Sequence, residues 1–391
     1  MHSLRRRGQV VLGLGFAVAA SSVVAAGAAL LVESGMSPGD FVVCLAPIST
    51  AAQQPAVHPS LKYLGNGSCT GSKCHSGEAK DQSGHLIGDE FTIWQEKDPH
   101  AKAYKTLSSK ASGEIATKMK LGDAKAANRC LACHSTQVPA AQRGEKWKIE
   151  DSVGCERCHG ASEKWKEPHQ KAGWTEAERK KGGADSLNKN WGLIDTSDLA
   201  VRGTMCVSCH LQIDQDMVEA GHPTLKFEMY DYNNYHFAKQ FRPHWDERGG
   251  PTSAAKLWAV GQAASLAAAT SKEAASLKPL VAVYQAGVQV VKSAFGSGDA
   301  ATLSAMTMTK EQAIKAANEL AATGDAFKSG AENERARKII ASGVEGLVSA
   351  CVKDPDKDLS DEFWAASETA RKASEGDAWL AALKRMTSFA K

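Results

Sequence analysis

Aromatic residues make up only 6% of the 391 residues, and Lys and Arg outnumber Asp and Glu by just 3, at 47 against 44. Nucleic-acid binding needs a basic surface interleaved with stacking rings, and the chain offers neither. No Ser-His-Asp arrangement and no paired carboxylates stand out, which removes the usual hydrolase chemistries. Neither half is a charged tail, and the C-terminal half is rich in Leu, Val and Ala, which excludes wholesale disorder. Against these absences stand 10 cysteines and 12 histidines, an unusual stock for a generic globular protein.

The N-terminus reads as an export signal. Arg5, Arg6 and Arg7 form a positive flank, Val10 to Val32 is an uncharged run of apolar and small residues, and Glu33 ends it. A secretory apolar core is usually shorter, and this run approaches the length of a membrane span. Cleavage after Ala51 or Ala52 and retention as an uncleaved anchor fit the length equally well. Both take the bulk of the chain out of the cytoplasm, to a periplasmic or other extracytoplasmic location. Cys44 follows Phe41, Val42 and Val43, which lack the small residue of a lipobox, so it reads as an apolar residue of a discarded or linker segment.

Eight of the cysteines fall into a spaced pattern. Cys130-Leu131-Ala132-Cys133-His134, Cys155-Glu156-Arg157-Cys158-His159 and Cys206-Val207-Ser208-Cys209-His210 are each C-x-x-C-H, a haem attachment sequence. Cys69-Thr70-Gly71-Ser72-Lys73-Cys74-His75 is a variant with two extra residues that keeps the Cys-His end. Two thiols on one helical turn both reach the vinyl groups along one porphyrin edge, and the next residue turns its imidazole to the iron. The pattern predicts four covalent haems c, with His75, His134, His159 and His210 as proximal ligands. Zinc sites and redox dithiols also use C-x-x-C, but a His directly after the second Cys at all four places, behind an export signal, points away from both. Cys351, near a helix end, reads as a buried or semi-buried free thiol.

The second axial ligands decide between electron transfer and chemistry at iron. His85, His100, His169, His222, His236 and His244 are available in residues 61–250, and Met119, Met205, Met217 and Met229 are alternatives. His85 sits in a polar stretch from Gly84 to Gly88 and reads as a solvated loop residue.

These residues resemble the multihaem cytochrome c-554 (and c-prime) family over about residues 60–260. Trp94 precedes Asp98-Pro99-His100-Ala101-Lys102-Ala103. The second site is Cys130 to His134, and Val153-Gly154 leads into Cys155 to His159, followed by Gly160, Trp165 and His169. Ala220-Gly221-His222-Pro223, then Leu225, Phe227, Glu228 and Pro243-His244-Trp245, follow the fourth. The resemblance implies that His100 is distal to the third haem and His169 to the first. It gives His222 to the fourth, a place that His236 or His244 would also suit. It further implies a five-coordinate second haem, which makes Cys130 to His134 the candidate reactive site. Against that, His222 and His244 are flanked by prolines that hold them rigidly, which favours a closed second site with both as distal ligands. No C-x-x-C-H-H follows near the C-terminus, so no fifth haem is expected.

The expected fold class is mainly α. Residues 1–52 form a signal peptide or membrane anchor with linker, 53–250 a haem-rich cytochrome c domain of short helices and loops, and 251–391 an α-helical bundle. Porphyrins supply apolar surface in the haem domain, and Lys181-Gly182-Gly183 reads as a turn there. Beyond Pro251, Leu257, Val260 and Ala264 recur at helical spacing, as do Leu280, Val283, Ala286, Val290 and Val291, then Ile339, Ile340, Val344, Leu347 and Val348. Thr309 to Gln312 forms a capping box, and Pro355 and Ser360 break the chain before helices holding Trp364 and Trp379. Five or six helices with short connections result.

The expected function is single-electron transfer between redox partner proteins, with no nucleic acid involved and with attachment to the inner membrane if the N-terminal segment is retained. The competing reading is a haem enzyme acting on a small nitrogen or oxygen species at an open second haem.

Overall fold

The computed structural model describes residues 58–71, 74–77, 79–80, 86–211, 213–235, 253–271 and 275–391. The N-terminal signal or anchor with Cys44, and His85, His236 and His244, lie outside them. No helix among the described residues is long and apolar enough to cross a membrane.

Up to residue 235 most elements are short, the kinked helix Trp174–Trp191 apart. A two-residue antiparallel ladder joins β1 (Ala79–Lys80) to β2 (Leu86–Ile87), with Ala79 opposite Ile87. The helices are α1 (Glu90–Glu96), α2 (Ala103–Thr106), α3 (Lys110–Lys118), α4 (Asn128–His134), α5 (Cys155–His159), α6 (Trp174–Trp191), α7 (Leu199–His210) and α8 (Gln215–Ala220). The three C-x-x-C-H sequences occupy helix ends: the last turns of α4 and α7, and the whole of α5. Gly160 stops α5 with φ 77, and a Cβ there would stand 2.1 Å from the Gly192 carbonyl oxygen, so only glycine fits the turn. The turn expected at Lys181 to Gly183 is instead a kink inside α6, where Gly183 has φ 68. The flanking residues on both sides keep the helical ladder, so the two glycines bend the helix without ending it.

The apolar clusters of this half are small. Leu107, Ala116, Ala124, Ala127, Cys130 and Leu131 pack around α4. Leu61, Tyr63, Val138 and Ala161 form another, and Trp165, Leu187 and Leu193 a third. Polar anchors do much of the joining. Buried Glu156 on α5 accepts the backbone N–H groups of Leu64 (2.8 Å), Gly65 (2.7 Å) and Ser162 (2.8 Å) and the Ser162 hydroxyl (2.6 Å). Four donors satisfy the carboxylate and tie the first described strand of chain to α5.

From residue 253 the helices lengthen: α9 (Ser253–Thr270), α10 (Lys278–Phe295), α11 (Ala300–Ala305), α12 (Lys310–Thr323), α13 (Glu334–Ser349), α14 (Pro355–Asp358), α15 (Asp361–Arg371) and α16 (Asp377–Thr387). Six are long and two short, joined by brief loops. The expected stripes face one core containing Leu257, Val260, Leu280, Val283, Val291, Ile339, Ile340, Val344 and Leu347. The capping box forms: Thr309 Oγ1 accepts the Gln312 N–H at 3.2 Å, and Gln312 Oε1 accepts the Thr309 N–H at 2.9 Å. On α13, a Cβ at Gly343 would meet Trp258 Nε1 at 2.6 Å and one at Gly346 would meet the Tyr230 ring, so the two glycines seat two large rings. Cys351 is buried, its thiol donating to the Leu347 carbonyl at 3.2 Å.

The same core reaches back across residue 250. Leu199 and Val207 of α7, Leu211 just past its end, and Phe227, Met229 and Tyr230 belong to it. The helix carrying the fourth motif therefore packs on α9, with Gly203 against Ala264.

Candidate haem centres

Histidines from distant parts of the chain face one another in pairs. His75 and His169 lie with ring centroids 6.2 Å apart and planes 6° from parallel. His134 and His222 are 6.4 Å apart at 73°, and His100 and His210 5.7 Å apart at 75°, with their Nε2 atoms at 3.4 Å. Two metal–imidazole bonds of about 2 Å laid end to end put the nitrogens about 4 Å apart and the centroids about 6 Å apart. The spacing of each pair is close to that of two rings on opposite sides of one metal atom.

The other ring nitrogen is held in nearly every case. His75 Nδ1 pairs with Glu90 Oε2 at 2.9 Å, and His100 Nδ1 with Asp98 Oδ1 at 2.9 Å. His134 Nδ1 lies 3.0 Å from both the Thr106 hydroxyl and the Ala103 carbonyl. His169 Nδ1 donates to the Trp165 and Lys166 carbonyls, and His222 Nδ1 to its neighbour, the Pro223 carbonyl. A carbonyl or carboxylate partner fixes the proton on Nδ1 and leaves the Nε2 lone pair free for a metal, the arrangement found behind metal-bound histidines. The Glu90 hydrogen bond raises the pKa of His75 despite the opposing effect of burial. At His100 burial is the largest influence and works downward, yet the Asp98 hydrogen bond and charge together outweigh it and carry the value up.

Local structure explains the aim of each ring. Asp98 caps the turn Pro99–Lys102 by accepting the His100 N–H at 2.8 Å, and the same carboxylate grips the ring. His100 thereby lies against His210 at the end of α7, and not against His159 of the third motif as the resemblance implied. His222 likewise lies against His134 of the second motif and not against the fourth. Arg129 of α4 pairs with Asp214 and Asp216 at 2.9 and 2.7 Å, and Lys118 of α3 donates to the Ala220 carbonyl at 3.1 Å. The first ties hold the start of α8 to α4 and the last holds its end to α3, which together set His222 beside His134. His169 lies opposite His75, the partner the resemblance assigned to it, with the Trp165 ring edge-on at 5.2 Å.

The attachment cysteines also meet between motifs. Across motifs Cys69 interacts with Cys155 and Cys133 with Cys209, and Cys158 lies within electrostatic reach of Cys206. Burial pushes the Cys158 and Cys206 thiols up to about 12, whereas Cys133, aided by Arg157, brings Cys209 down to about 5. Among the described residues no three His, Cys, Asp or Glu side chains converge as a multidentate metal cluster, so the ligands come as facing pairs.

Sequence reasoning missed Glu90 and Thr106 as ring partners, since neither is near its histidine in the chain. Phe227 and Tyr232, which pack on His210 at 6.1 and 4.8 Å between centroids, were equally silent. Asp98 carried a signal, an acid two residues before His100 at a Pro-initiated turn.

Helix-borne Cys-x-x-Cys-His ends with facing histidines are the arrangement a covalent haem c needs, and the residues fit it at the sulfur, Nδ1 and Nε2 positions alike. Residues 68–160 match the family model of cytochrome c554 and c-prime, which places this segment in the cytochrome c family. Members of that family bind haem c covalently and transfer electrons. No curated protein and no solved structure matches the chain.

Proposed function

We propose that the chain is an exported tetrahaem c-type cytochrome that passes single electrons between redox partner proteins in the periplasm or another extracytoplasmic space, either released or held at the inner membrane by its N-terminal segment. Cys69 and Cys74, Cys130 and Cys133, Cys155 and Cys158, and Cys206 and Cys209 attach the haems. His75, His134, His159 and His210 bind iron on one side. His169, His222 and His100 bind the first, second and fourth irons on the other, and we assign the third a histidine from those that remain, His244 or His236.

The observation that carries this reading is the set of three facing ring pairs with their outer nitrogens tied. Two imidazoles on each iron saturate it and favour outer-sphere transfer over bond chemistry. The position of His222 opposite His134 supports electron transfer over the alternative of small-molecule chemistry at an open second haem. The cysteine contacts support a spatial order of first, third, fourth and second haem. C-terminal helices buttress the fourth: the Tyr284 hydroxyl accepts the Phe227 N–H at 3.2 Å and donates to the Phe227 carbonyl at 2.6 Å, fixing the ring that packs on His210.

Intact mass of the purified protein should show four haems, and carbon monoxide should leave the visible spectrum of the reduced protein unchanged. Fewer haems would defeat the tetrahaem assignment, and stoichiometric carbon monoxide binding would promote the enzyme reading.

A further inference from the structure

The histidine pairs differ in the charge of the oxygen behind them. His75 leans on the Glu90 carboxylate and His100 on that of Asp98. His134 and His222 lean only on uncharged oxygen, from Thr106, Ala103 and Pro223. An Nδ1–H donated to a carboxylate makes the imidazole a more basic ligand, and the added negative charge favours the more positive, oxidised iron. A ring backed by a carbonyl or hydroxyl receives much less of either effect. Second-sphere hydrogen bonding is one of the levers by which a protein sets a haem potential.

We propose that Glu90 and Asp98 are potential-setting residues, which make the first and fourth sites weaker electron acceptors than the second site, His134 with His222. The inference rests on the bis-histidine reading above. Reduction of a site adds one electron to its iron and moves no proton through either carboxylate. The second site stands at one end of the spatial order given above and the first at the other. Electrons entering at the first site therefore run towards the second, and the site that resembles a reactive centre serves as the outlet.

The ring angles supply the readout. Parallel imidazoles give a rhombic low-spin resonance and nearly perpendicular ones a signal with a large maximal g value, so the pair at 6° is told apart from those at 73° and 75° by electron paramagnetic resonance. In a potentiometric titration, Glu90→Gln should raise the midpoint of the rhombic signal. The expected rise is about tenfold in the reduced-to-oxidised ratio at fixed potential, about 59 mV for one electron, with four haems still attached. Glu90→Asp, which keeps the charge, should return most of the shift. An unchanged rhombic midpoint in Glu90→Gln with all haems present overturns the proposal. Should that variant fail to fold, the wild-type titration decides: the large-g signals of the second and fourth sites must separate, one of them being the first to be reduced as the potential is lowered, and either a rhombic signal disappearing first or a single shared large-g midpoint overturns the proposal. A missing haem or high-spin iron at the second site shows in the mass and the spectrum instead, and defeats the bis-histidine reading together with the inference.

Discussion

The half of the molecule that carries the histidines and the half that does not are built on opposite plans. Around α4, α5 and α6 the apolar residues fall into three small clusters, and the connections between them are hydrogen bonds and ring pairs. From α9 to α16 one continuous core runs through every long helix and extends into α7. Folded chains must offset a conformational entropy of about 1–2 kcal/mol per residue, chiefly by burying apolar surface. The second half does this with its own side chains. The first half is too poor in them, and its missing apolar surface is that of the cofactor its histidines frame.

The largest expected effect tests this contrast directly. Protein made without haem attachment should lose protection of the backbone amides in α3 to α6 while keeping it in α10, α12 and α13, because ligand binding and folding are one event where no separate core exists. Hydrogen exchange resolves the two halves, and equal protection in both would break the comparison. Next in size, Trp258→Ala removes one of the two fully buried tryptophan rings of the bundle core and should cost about 3–5 kcal/mol in denaturant unfolding. The Soret and low-spin signals of the first two haems should survive it at denaturant concentrations below the new midpoint.

A pH effect of intermediate size belongs to the seam between the halves. Glu228 is fully buried, and burial, with the nearby Asp231 charge adding to it, raises its pKa from 4.5 to about 8. The folded state thus binds a proton that the unfolded state releases. This contribution is whole below about pH 4.5 and is lost as pH rises towards 8, with no further change above. Glu228→Gln should remove that slope and make the protein more stable than the wild type at pH 8, by on the order of 1–3 kcal/mol. A wild-type unfolding free energy with the same pH profile as the variant would disprove the assignment. The smallest change in stability is expected from His222→Ala, which should leave four haems attached and convert one iron to a high-spin, carbon monoxide-binding form. If all low-spin signals persist in that variant, His222 is not a ligand.

Much of this was legible in the chain and the remainder had a physical reason to be hidden. The C-x-x-C-H sequences carry local chemistry, and the helices they end follow from thiols that must share one turn. The stripes of α9, α10 and α13 and the Thr309 cap are likewise local, each decided within about two turns of helix. The pairing of His100 with His210 and of His222 with His134 is not local. It depends on Arg129 meeting Asp214 and Asp216 and on Asp98 turning one ring, contacts that no spacing encodes. The kink in α6 also escaped, because a Gly-Gly pair reads as a stop in sequence while the residues on both sides still prolong the helix.

The buried Glu156 has a consequence for the timing of assembly. Its partners Leu64 and Gly65 leave the ribosome 92 and 91 residues before it, and His100 precedes His210 by 110. Synthesis proceeds from the N-terminus at about 5–20 residues per second, so the early chain waits several seconds for the groups that will lock it. During that interval Cys69 and Cys74 stand in open chain. Contacts of such long sequence separation close slowly, so the first motif is the one that stays open longest.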